Sequence, residues 1–369
     1  MIYYIGDYLY RTVEALSFFR LAHYLSFRAI AAALTAFLLT LIFGRKMINY
    51  LHMHRMRDIV RDYGVTSVKD KRGTPTMGGM LIVPVILLSL VLWCNLSNRF
   101  ALIAFSSLIW FAALGALDDY LKIRRQSNDR GLSQSVKLAL QGLYGLAFGA
   151  IYLSEALSPV GPALSSKLYL PFVKMAIIDL SWFYLPFILF TVLAIANSVN
   201  FADGLDGLAI VPASFVAVVY GVFAYVIGNR IYSGYLQFFY LPGSGEIAVI
   251  CAAIFGAGIG FLWYNAYPAQ IFMGDTGSQA LGGILGTLSV LLKQEFLFLI
   301  AGGIFVAEAF SVLIQEKIGI DHLGRRIFYR APVHHTFQHR GLAETKVVVR
   351  FWIVSGVLAL VSLATLKVR

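Results

Sequence analysis

The sequence predicts an all-α, polytopic membrane protein, and three observations support this fold class. Of the 369 residues, 59% are hydrophobic and only 13% are charged, where a soluble domain carries about 25% charged residues. The mean hydropathy is +0.75. Apolar runs of about 20 residues, long enough to cross a bilayer as a helix, recur along the whole chain. A transmembrane β-barrel would show short alternating segments instead.

About ten transmembrane helices are predicted within a single integral-membrane domain covering residues 1–369. Asp7 and Glu14 lie in the first 20 residues, which is not typical of a cleavable signal peptide. Cys94 and Cys251 have no partner nearby in sequence, so neither a disulfide framework nor a thiolate metal site is expected. In order along the chain, the predicted crossings are 22–44, 77–95, 100–117, 135–154, 179–197, 207–227, 247–264, 278–292 (short and glycine-rich), 297–315 and 350–366.

The distribution of Lys and Arg predicts the orientation. Basic residues cluster between the first and second, the third and fourth, and the ninth and tenth crossings, and this side should be the cytoplasm. Both termini are then periplasmic, and the outer connections, such as 293–295, are short or bland. Every unusual polar segment faces the cytoplasm, which predicts one active site there. These segments are 66–79, 118–134, 198–206, 265–277 and 316–349.

Asp118 and Asp119 follow the third predicted crossing. Adjacent helical residues point about 100° apart, so we expect one carboxylate to reach a substrate or metal and the other to bind a neighbouring group. The alternative is a polar helix end exposed to water.

The segment from Asn197 to Gly207 places two Asn, two Asp and two Gly directly against apolar runs. Ionisable groups in this position are costly and indicate function. Asp203 and Asp206 would share a face if the segment were helical. Capping of the sixth crossing by one Asp is the alternative, but it does not explain all four polar side chains.

The segment from Asn265 to Ser278 precedes the eighth crossing. Asp275 could simply cap that helix. However, Gly274, Thr276, Gly277 and Ser278 also offer donors of the kind that bind phosphate at a helix N-terminus. The carboxylate of Asp275 suits Mg²⁺, which usually shares substrate phosphates. Phe272 could stack on a base or lie at the membrane interface.

Three further features complete the candidate site. His334 and His335 lack the spacing of a helical zinc site and fit contacts to phosphate better, the alternative being a solvated basic loop at the anionic leaflet. Gly73-Thr-Pro-Thr-Met-Gly-Gly79 could contact an anionic ligand or be only a turn. Glu308, inside the ninth crossing, is expected to be a paired structural group, and Gln315 could line the site.

This constellation favours Mg²⁺-assisted phosphoryl transfer between a cytoplasmic anionic substrate and a lipid. No Gly-x-x-x-x-Gly-Lys-Ser/Thr loop is present, which argues against ATP-driven chemistry. A transporter is the alternative from another class. It would place carboxylates near the bilayer midplane on broken helices, whereas here they lie at predicted helix ends.

Together these motifs resemble those of the phospho-N-acetylmuramoyl-pentapeptide transferases, within the polyprenyl-phosphate N-acetylhexosamine-1-phosphate transferase superfamily. The resemblance covers essentially the whole chain. It implies a Mg²⁺-dependent transfer from UDP-MurNAc-pentapeptide to undecaprenyl phosphate, giving lipid I and UMP. The reaction serves peptidoglycan synthesis at the bacterial inner membrane, and so cell shape and division. The resemblance also implies ten helices and a homodimer, with no nucleic-acid partner.

The resemblance also assigns roles by position. Asp275 would bind Mg²⁺, and Asp118 and Asp119 would serve the lipid phosphate, with one of the two as the candidate base. Asn197 and Ser278 belong to the matching motifs. The uridine and nucleoside pocket would be lined by Asn200, Asp203, Gly204, Leu205, Asp206, Asn265 and Phe272. The polar shell would be completed by Lys71, Thr76, Lys122, Lys137, Gln315, His334 and His335.

One departure concerns the histidine motif, because the family often has a third consecutive histidine where this chain has Thr336. Either that imidazole is dispensable or His339 replaces it. A sister enzyme that transfers GlcNAc-1-phosphate is the close alternative, and the two motifs at 73–79 and 332–335 argue against it. Direct attack by the lipid phosphate is preferred over a covalent phospho-sugar intermediate, because a lipid phosphate is already mostly ionised.

Overall fold

The residues that the structure describes form a bundle of helices with almost no strand. The computed structural model describes residues 1–12, 20–56, 73–127, 131–174 and 178–368. The helices are α1 (Ile2–Thr12), α2 (Leu25–Met53), α3 (Gly79–Trp93), α4 (Arg99–Arg124), α5 (Gln134–Leu153), α6 (Pro162–Ser165), α7 (Tyr184–Phe201), α8 (Ile210–Ile227), α9 (Arg230–Tyr235), α10 (Glu246–Asn265), α11 (Gly274–Leu291), α12 (Leu297–Ala301), α13 (Gly303–Leu313), α14 (Val333–His339) and α15 (Glu344–Ala364). A π-helical segment, Ile314–His322, continues α13.

Helices occupy all ten segments that the sequence predicts to cross the membrane. In the described part of the chain, seven helices are long and apolar enough to span a bilayer, and Gly79–Trp93 is a shorter apolar helix. The third segment ends later than predicted, because its helix continues to Arg124 and carries Asp118 and Asp119 within it. The ninth is divided between α12 and α13.

The glycine-rich helix α11 lies at the centre of the bundle. Every residue from Thr276 to Leu291 is buried, with α4 and α7 packed along it. Its glycines allow this packing, since a Cβ at Gly283 would lie 2.2 Å from the Phe111 ring and one at Gly282 would lie 2.7 Å from the Ala196 backbone. Small residues are the usual contacts between membrane helices that approach closely.

Two glycines bring neighbouring helices against the first turn of α11. A Cβ at Gly79 in α3 would lie 2.2 Å from the Gly277 nitrogen. A Cβ at Gly115 in α4 would lie 2.1 Å from the Asp275 carbonyl oxygen. Because backbone meets backbone here, neither position has room for a larger side chain. These contacts fix the end of α4 beside the start of α11, where the polar residues gather.

The outer connection predicted between the fourth and fifth crossings contains some regular structure. Helix α6 is followed by two-residue strands, β1 (Lys167–Leu168) and β2 (Ile178–Asp179), which pair antiparallel. The sequence predicts that the connection 293–295 is short or bland. In the structure it is not bland, because all three of its residues are polar and buried.

Candidate active site

Two lysines join two carboxylates at the end of α4. The Lys122 Nζ lies 2.7 Å from Asp118 Oδ2 and 2.8 Å from Asp275 Oδ2. The Lys137 Nζ, from the first turn of α5, lies 2.6 Å and 2.8 Å from the same two oxygens. Three helices therefore bring two negative and two positive groups to one point. Neither lysine is sealed, since their side chains are 24% and 19% exposed.

Asp119 turns away from this centre and binds the start of α11. Its carboxylate accepts hydrogen bonds from the backbone nitrogens of Asp275 and Thr276 and from the Thr276 hydroxyl, at 3.1, 2.8 and 2.7 Å. An anion is favourable at a helix N-terminus. Asp119 is therefore the carboxylate that binds a neighbouring group, as expected of one of the pair, and contact of Asp118 with a substrate or metal stays a prediction. The alternative of an exposed helix end is wrong, because both are buried.

Two alternatives for the Asp275 segment are also wrong. Asp275 is not the N-cap, because α11 begins at Gly274 and its cap position is Met273 without a side-chain hydrogen bond. The N-terminus of α11 is also not an open phosphate site. Asp119 already occupies the backbone donors of Asp275 and Thr276, and Ser278 is fully buried.

An amide network supports the other side of Asp275. The Asn200 amide donates to Asp275 Oδ1 at 2.9 Å and to the Ser278 hydroxyl at 2.8 Å. One turn earlier, Asn197 exchanges hydrogen bonds with Gln141, which also donates to Gln279 at 2.8 Å. Sequence reasoning missed both glutamines, although polar residues inside predicted crossings are the signal that could have found them.

The segment after Asn200 is a series of turns and not a helix. Neither Asp203 nor Asp206 caps α8, whose cap position is Ala209. Asp206 is buried, and its carboxylate accepts the Ala269 backbone N–H at 3.0 Å. Asp203 is half-buried and Gly204 is exposed, so these two residues form the open side of the turn.

Two other predicted nucleoside contacts are buried parts of the framework around this turn. The Asn265 amide accepts the Gly207 N–H and donates to the Ile271 carbonyl. Leu205 packs in a small hydrophobic cluster beneath the turn. That cluster also contains Leu208, Ile304, Val347, Val348 and Phe351.

The segment 73–79 is more than a turn into α3. Its backbone pairs with the strand-like stretch before α11, through Phe272 N–H to the Pro75 carbonyl and Gly78 N–H to the Phe272 carbonyl, both at 2.8 Å. Thr76 is buried beside Gly274, which has a φ of +70°. Phe272 is half-buried at the edge of this pairing. Lys71 lies outside the described residues.

The two histidines have different surroundings. His334 is fully buried, with its Nδ1 3.2 Å from Glu308 Oε2, and the structure does not bring it to the lysine–carboxylate centre. Glu308 is thus paired, as predicted. His335 is half-buried, with its Nδ1 3.0 Å from Gln338 Oε1. Burial, reinforced by the adjacent His334, lowers the pKa of His335 to about 4, so its ring is neutral at physiological pH.

The remaining loop residues serve the backbone. The Thr336 hydroxyl bonds both the N–H and the carbonyl of Arg330, which closes the loop before α14. His339 lies against the Tyr329 ring. The Gln315 side chain accepts the N–H groups of Ile327 and Phe328, so its carbonyl oxygen is already committed.

Comparison with known proteins identifies the class to which this fold and site belong. The model of glycosyl transferase family 4 matches residues 100–293, which span α4 to the end of α11. Signature 1 of the phospho-N-acetylmuramoyl-pentapeptide-transferases matches residues 71–83. The helical bundle and its lysine–carboxylate centre are therefore those of a family 4 glycosyl transferase.

Curated relatives narrow this class. Two phospho-N-acetylmuramoyl-pentapeptide-transferases, from Citrifermentans bemidjiense and from Geobacter sp. (strain M21), are each 45% identical over 369 residues, covering all of both chains. The chain belongs to the phospho-N-acetylmuramoyl-pentapeptide-transferase family and is an enzyme.

Proposed function

We propose that this enzyme transfers phospho-MurNAc-pentapeptide from UDP-MurNAc-pentapeptide to undecaprenyl phosphate, releasing UMP and forming lipid I for peptidoglycan synthesis. Full-length identity to relatives bearing the transferase name supports the reaction class. The observation that carries the chemistry is the pair of lysines shared by Asp118 and Asp275. A diphosphate substrate and a lipid phosphate are both anions, so their approach requires such positive charge.

The same proposal includes the membrane setting. A single domain of ten crossings would place this centre at the cytoplasmic face of the inner membrane, with both termini periplasmic, and the enzyme would act as a homodimer. Support comes from the seven helices able to span a bilayer and from the basic residues beside the site.

The donor set of this centre fits Mg²⁺. Asp118 and Asp275 each lie within 2.8 Å of the same two ammonium groups, so their oxygens converge. In the described residues, no group of three or more His, Cys, Asp or Glu side chains could hold a metal by itself. Mg²⁺ does not need one, because it usually takes one or two carboxylates with water and substrate phosphates. Asp275, with Asp118 beside it, would hold the ion, which would supply charge neutralisation for the departing nucleotide.

The chain's own residues then have distinct tasks. Lys122 and Lys137 would contact the diphosphate oxygens and stabilise the charge that develops on UMP. Asn200 would orient Asp275 through the hydrogen bond to Oδ1. Asp119 would keep the start of α11 in place, since it binds that helix end and not the lysines. The lipid phosphate, already ionised, would attack directly without a strong base.

The open side of the turn would receive the nucleoside. Asp203 and Gly204 face outward, with Phe272 at the edge of the paired segments nearby in the fold. Asp206, Asn265 and Leu205 would act indirectly, by holding this turn. His335, being neutral, would offer a hydrogen bond and no charge to a substrate phosphate.

The experiment that tests this function is UMP release by the purified protein in detergent, with undecaprenyl phosphate and Mg²⁺. UDP-MurNAc-pentapeptide is compared with UDP-GlcNAc. Release with the muramoyl substrate alone, abolished by EDTA and restored by added Mg²⁺, is the expected result. Release with UDP-GlcNAc would assign the chain to the sister sugar, and release unaffected by EDTA would overturn the metal requirement.

A further inference from the structure

Glu308 and His334 form a sealed pair behind the turn that carries Asp203 and Gly204. Both side chains are 0% exposed, and Glu308 Oε2 lies 3.2 Å from His334 Nδ1. Glu308 belongs to α13 and His334 to α14. The pair thus joins two helices that carry none of the lysine–carboxylate centre.

The pair depends on its own electrostatic attraction. Among the described residues, neither the Glu308 oxygens nor the His334 ring nitrogens have a well-aligned hydrogen-bond partner. A buried carboxylate without a partner is strongly unfavourable. Each group has the other as its polar neighbour, so removal of one partner leaves the other buried and uncompensated.

The His334 ring sets the position of Gly204. A Cβ at Gly204 would lie 2.4 Å from His334 Nε2 and 2.8 Å from Cε1, so the ring packs directly under the backbone of the turn. Gly204 itself is exposed on its other side. A shift of the ring would therefore move the surface formed by Gly204 and Asp203.

The rest of the turn is held independently, which restricts this effect to its open end. The Asp206 N–H donates to Glu344, and the Gly207 N–H donates to Asn265. The Trp352 indole donates to the Gly207 carbonyl at 3.0 Å. These contacts fix the end next to α8. At the end that faces the substrate, the Asp203 N–H donates to the Asn200 carbonyl and the His334 ring lies against Gly204.

We propose that Glu308 is a positioning residue for nucleotide binding, acting through His334 to hold Gly204 and Asp203 in their binding position. This inference rests on the proposed function, because it takes the open side of the turn as the nucleoside site. It assigns to Glu308 an effect on nucleotide affinity and none on the chemical step at Asp275.

The test measures KM for UDP-MurNAc-pentapeptide, kcat, and the Kd for UMP by calorimetry, in wild type and two variants. Glu308→Gln keeps the shape of the side chain and removes its charge. Gly204→Ala keeps both Glu308 and His334 but places a methyl group against the His334 ring, which must then shift. Both should raise KM and the UMP Kd by about tenfold or more, the range for loss of a charge-assisted contact, while kcat changes by less than about threefold.

Two controls make the test specific. Glu316→Gln removes an exposed carboxylate from the π-helical continuation of α13 and should change nothing. Glu308→Asp should restore part of the affinity lost in Glu308→Gln, because it returns the charge. The double variant Glu308→Gln/Gly204→Ala should be no worse than the poorer single variant, since both act through the same ring.

A fall in kcat at unchanged KM would overturn the proposal, and so would an unchanged UMP Kd in both variants. If Glu308→Gln does not fold, Glu308→Asp decides the question, because it keeps the carboxylate but shortens the side chain, and it should raise the UMP Kd while kcat stays within about threefold of wild type. If the wild-type protein binds UMP but does not turn over UDP-MurNAc-pentapeptide, the proposed reaction is wrong. The comparison of UMP Kd values between wild type and variants then still tests the role of Glu308.

Discussion

Charged side chains cluster at both ends of α11, roughly 27 Å apart along an 18-residue helix, but the two clusters are packed differently. At the first end, the side chains of Lys122, Lys137 and Asp275 are 24%, 19% and 16% exposed. At the other end, Lys293 is 0% and Glu295 4% exposed. One cluster is open to a ligand and the other is sealed.

The partners differ in the same way. Lys293 donates to the Ser165 carbonyl, and its Nζ lies 3.8 Å from the centre of the Tyr184 ring. Glu295 accepts the Tyr184 hydroxyl. This cluster ties α6 and α7 to the end of α11. At the open end, two lysines share two carboxylates. A metal ion could there take the place of a lysine, and a phosphate could take the place of a carboxylate. Burial of charge therefore marks a functional site only where the charges remain reachable.

The largest expected effect is loss of turnover in Asp275→Asn. The change removes the charge that both lysines contact and the proposed Mg²⁺ ligand, so UMP release should fall by about 10³-fold. Thermal unfolding in detergent should show that the protein is still folded. Asp321→Asn, which removes an exposed carboxylate paired with Lys317, is the matched control. Residual turnover above about a tenth of wild type would remove Asp275 from this role.

The sealed cluster should show the opposite behaviour, with stability affected and turnover per folded molecule unchanged. Lys293→Met keeps an unbranched chain against Tyr184 but removes the donor to the Ser165 carbonyl and, below pH 7, the positive charge that interacts with Glu295. Loss of a buried charge partner typically costs about 3–5 kcal/mol, visible as a lower unfolding temperature. Lys174→Met changes an exposed lysine of the same outer region and should have no effect.

The same variant tests a pH dependence. Burial lowers the pKa of Lys293 from 10.5 to about 7. Between these values the unfolded chain holds a proton that the folded protein releases, so this group makes stability rise with pH from about 7 to 10.5. The rise should be smaller in Lys293→Met. An equal rise in both proteins would show that the Lys293 ammonium is not desolvated in the folded state.

The sequence is sufficient to predict the helices and several polar residues that the structure brings together, such as Asp118, Lys122 and Asp275, because apolar run length and polar residues at helix ends are local signals. Contacts between distant segments are not local, and the errors arise there. The capture of the α11 N-terminus by Asp119 depends on the close approach of Gly115 to Asp275. The turn at Asp203 is held by α10, α14 and α15. The burial of Lys293 depends on contacts with α6 and α7. These helices are distant in sequence, so the sequence alone predicts an ordinary short loop at 293–295.

The smallest expected effect concerns His335, whose half-buried ring lies against the His334 ring with 4.2 Å between the ring centroids. Its folded pKa is about 4, against 6.5 for an ordinary histidine. Between these values the unfolded chain binds a proton that the folded protein does not. His335 therefore makes stability fall as the pH falls from 6.5 towards 4, and His335→Gln should flatten that decline.

Turnover should respond weakly to the same change. A neutral His335 can contribute a hydrogen bond and no cationic charge, and Gln retains the ability to donate one, so kcat should fall by less than about tenfold. Above pH 5.5 the pH–rate profiles of wild type and His335→Gln should have the same shape. If the pH–rate profile of the wild type changes slope near pH 6.5 and that of the variant does not, His335 acts as a cation. The open site would then extend to α14.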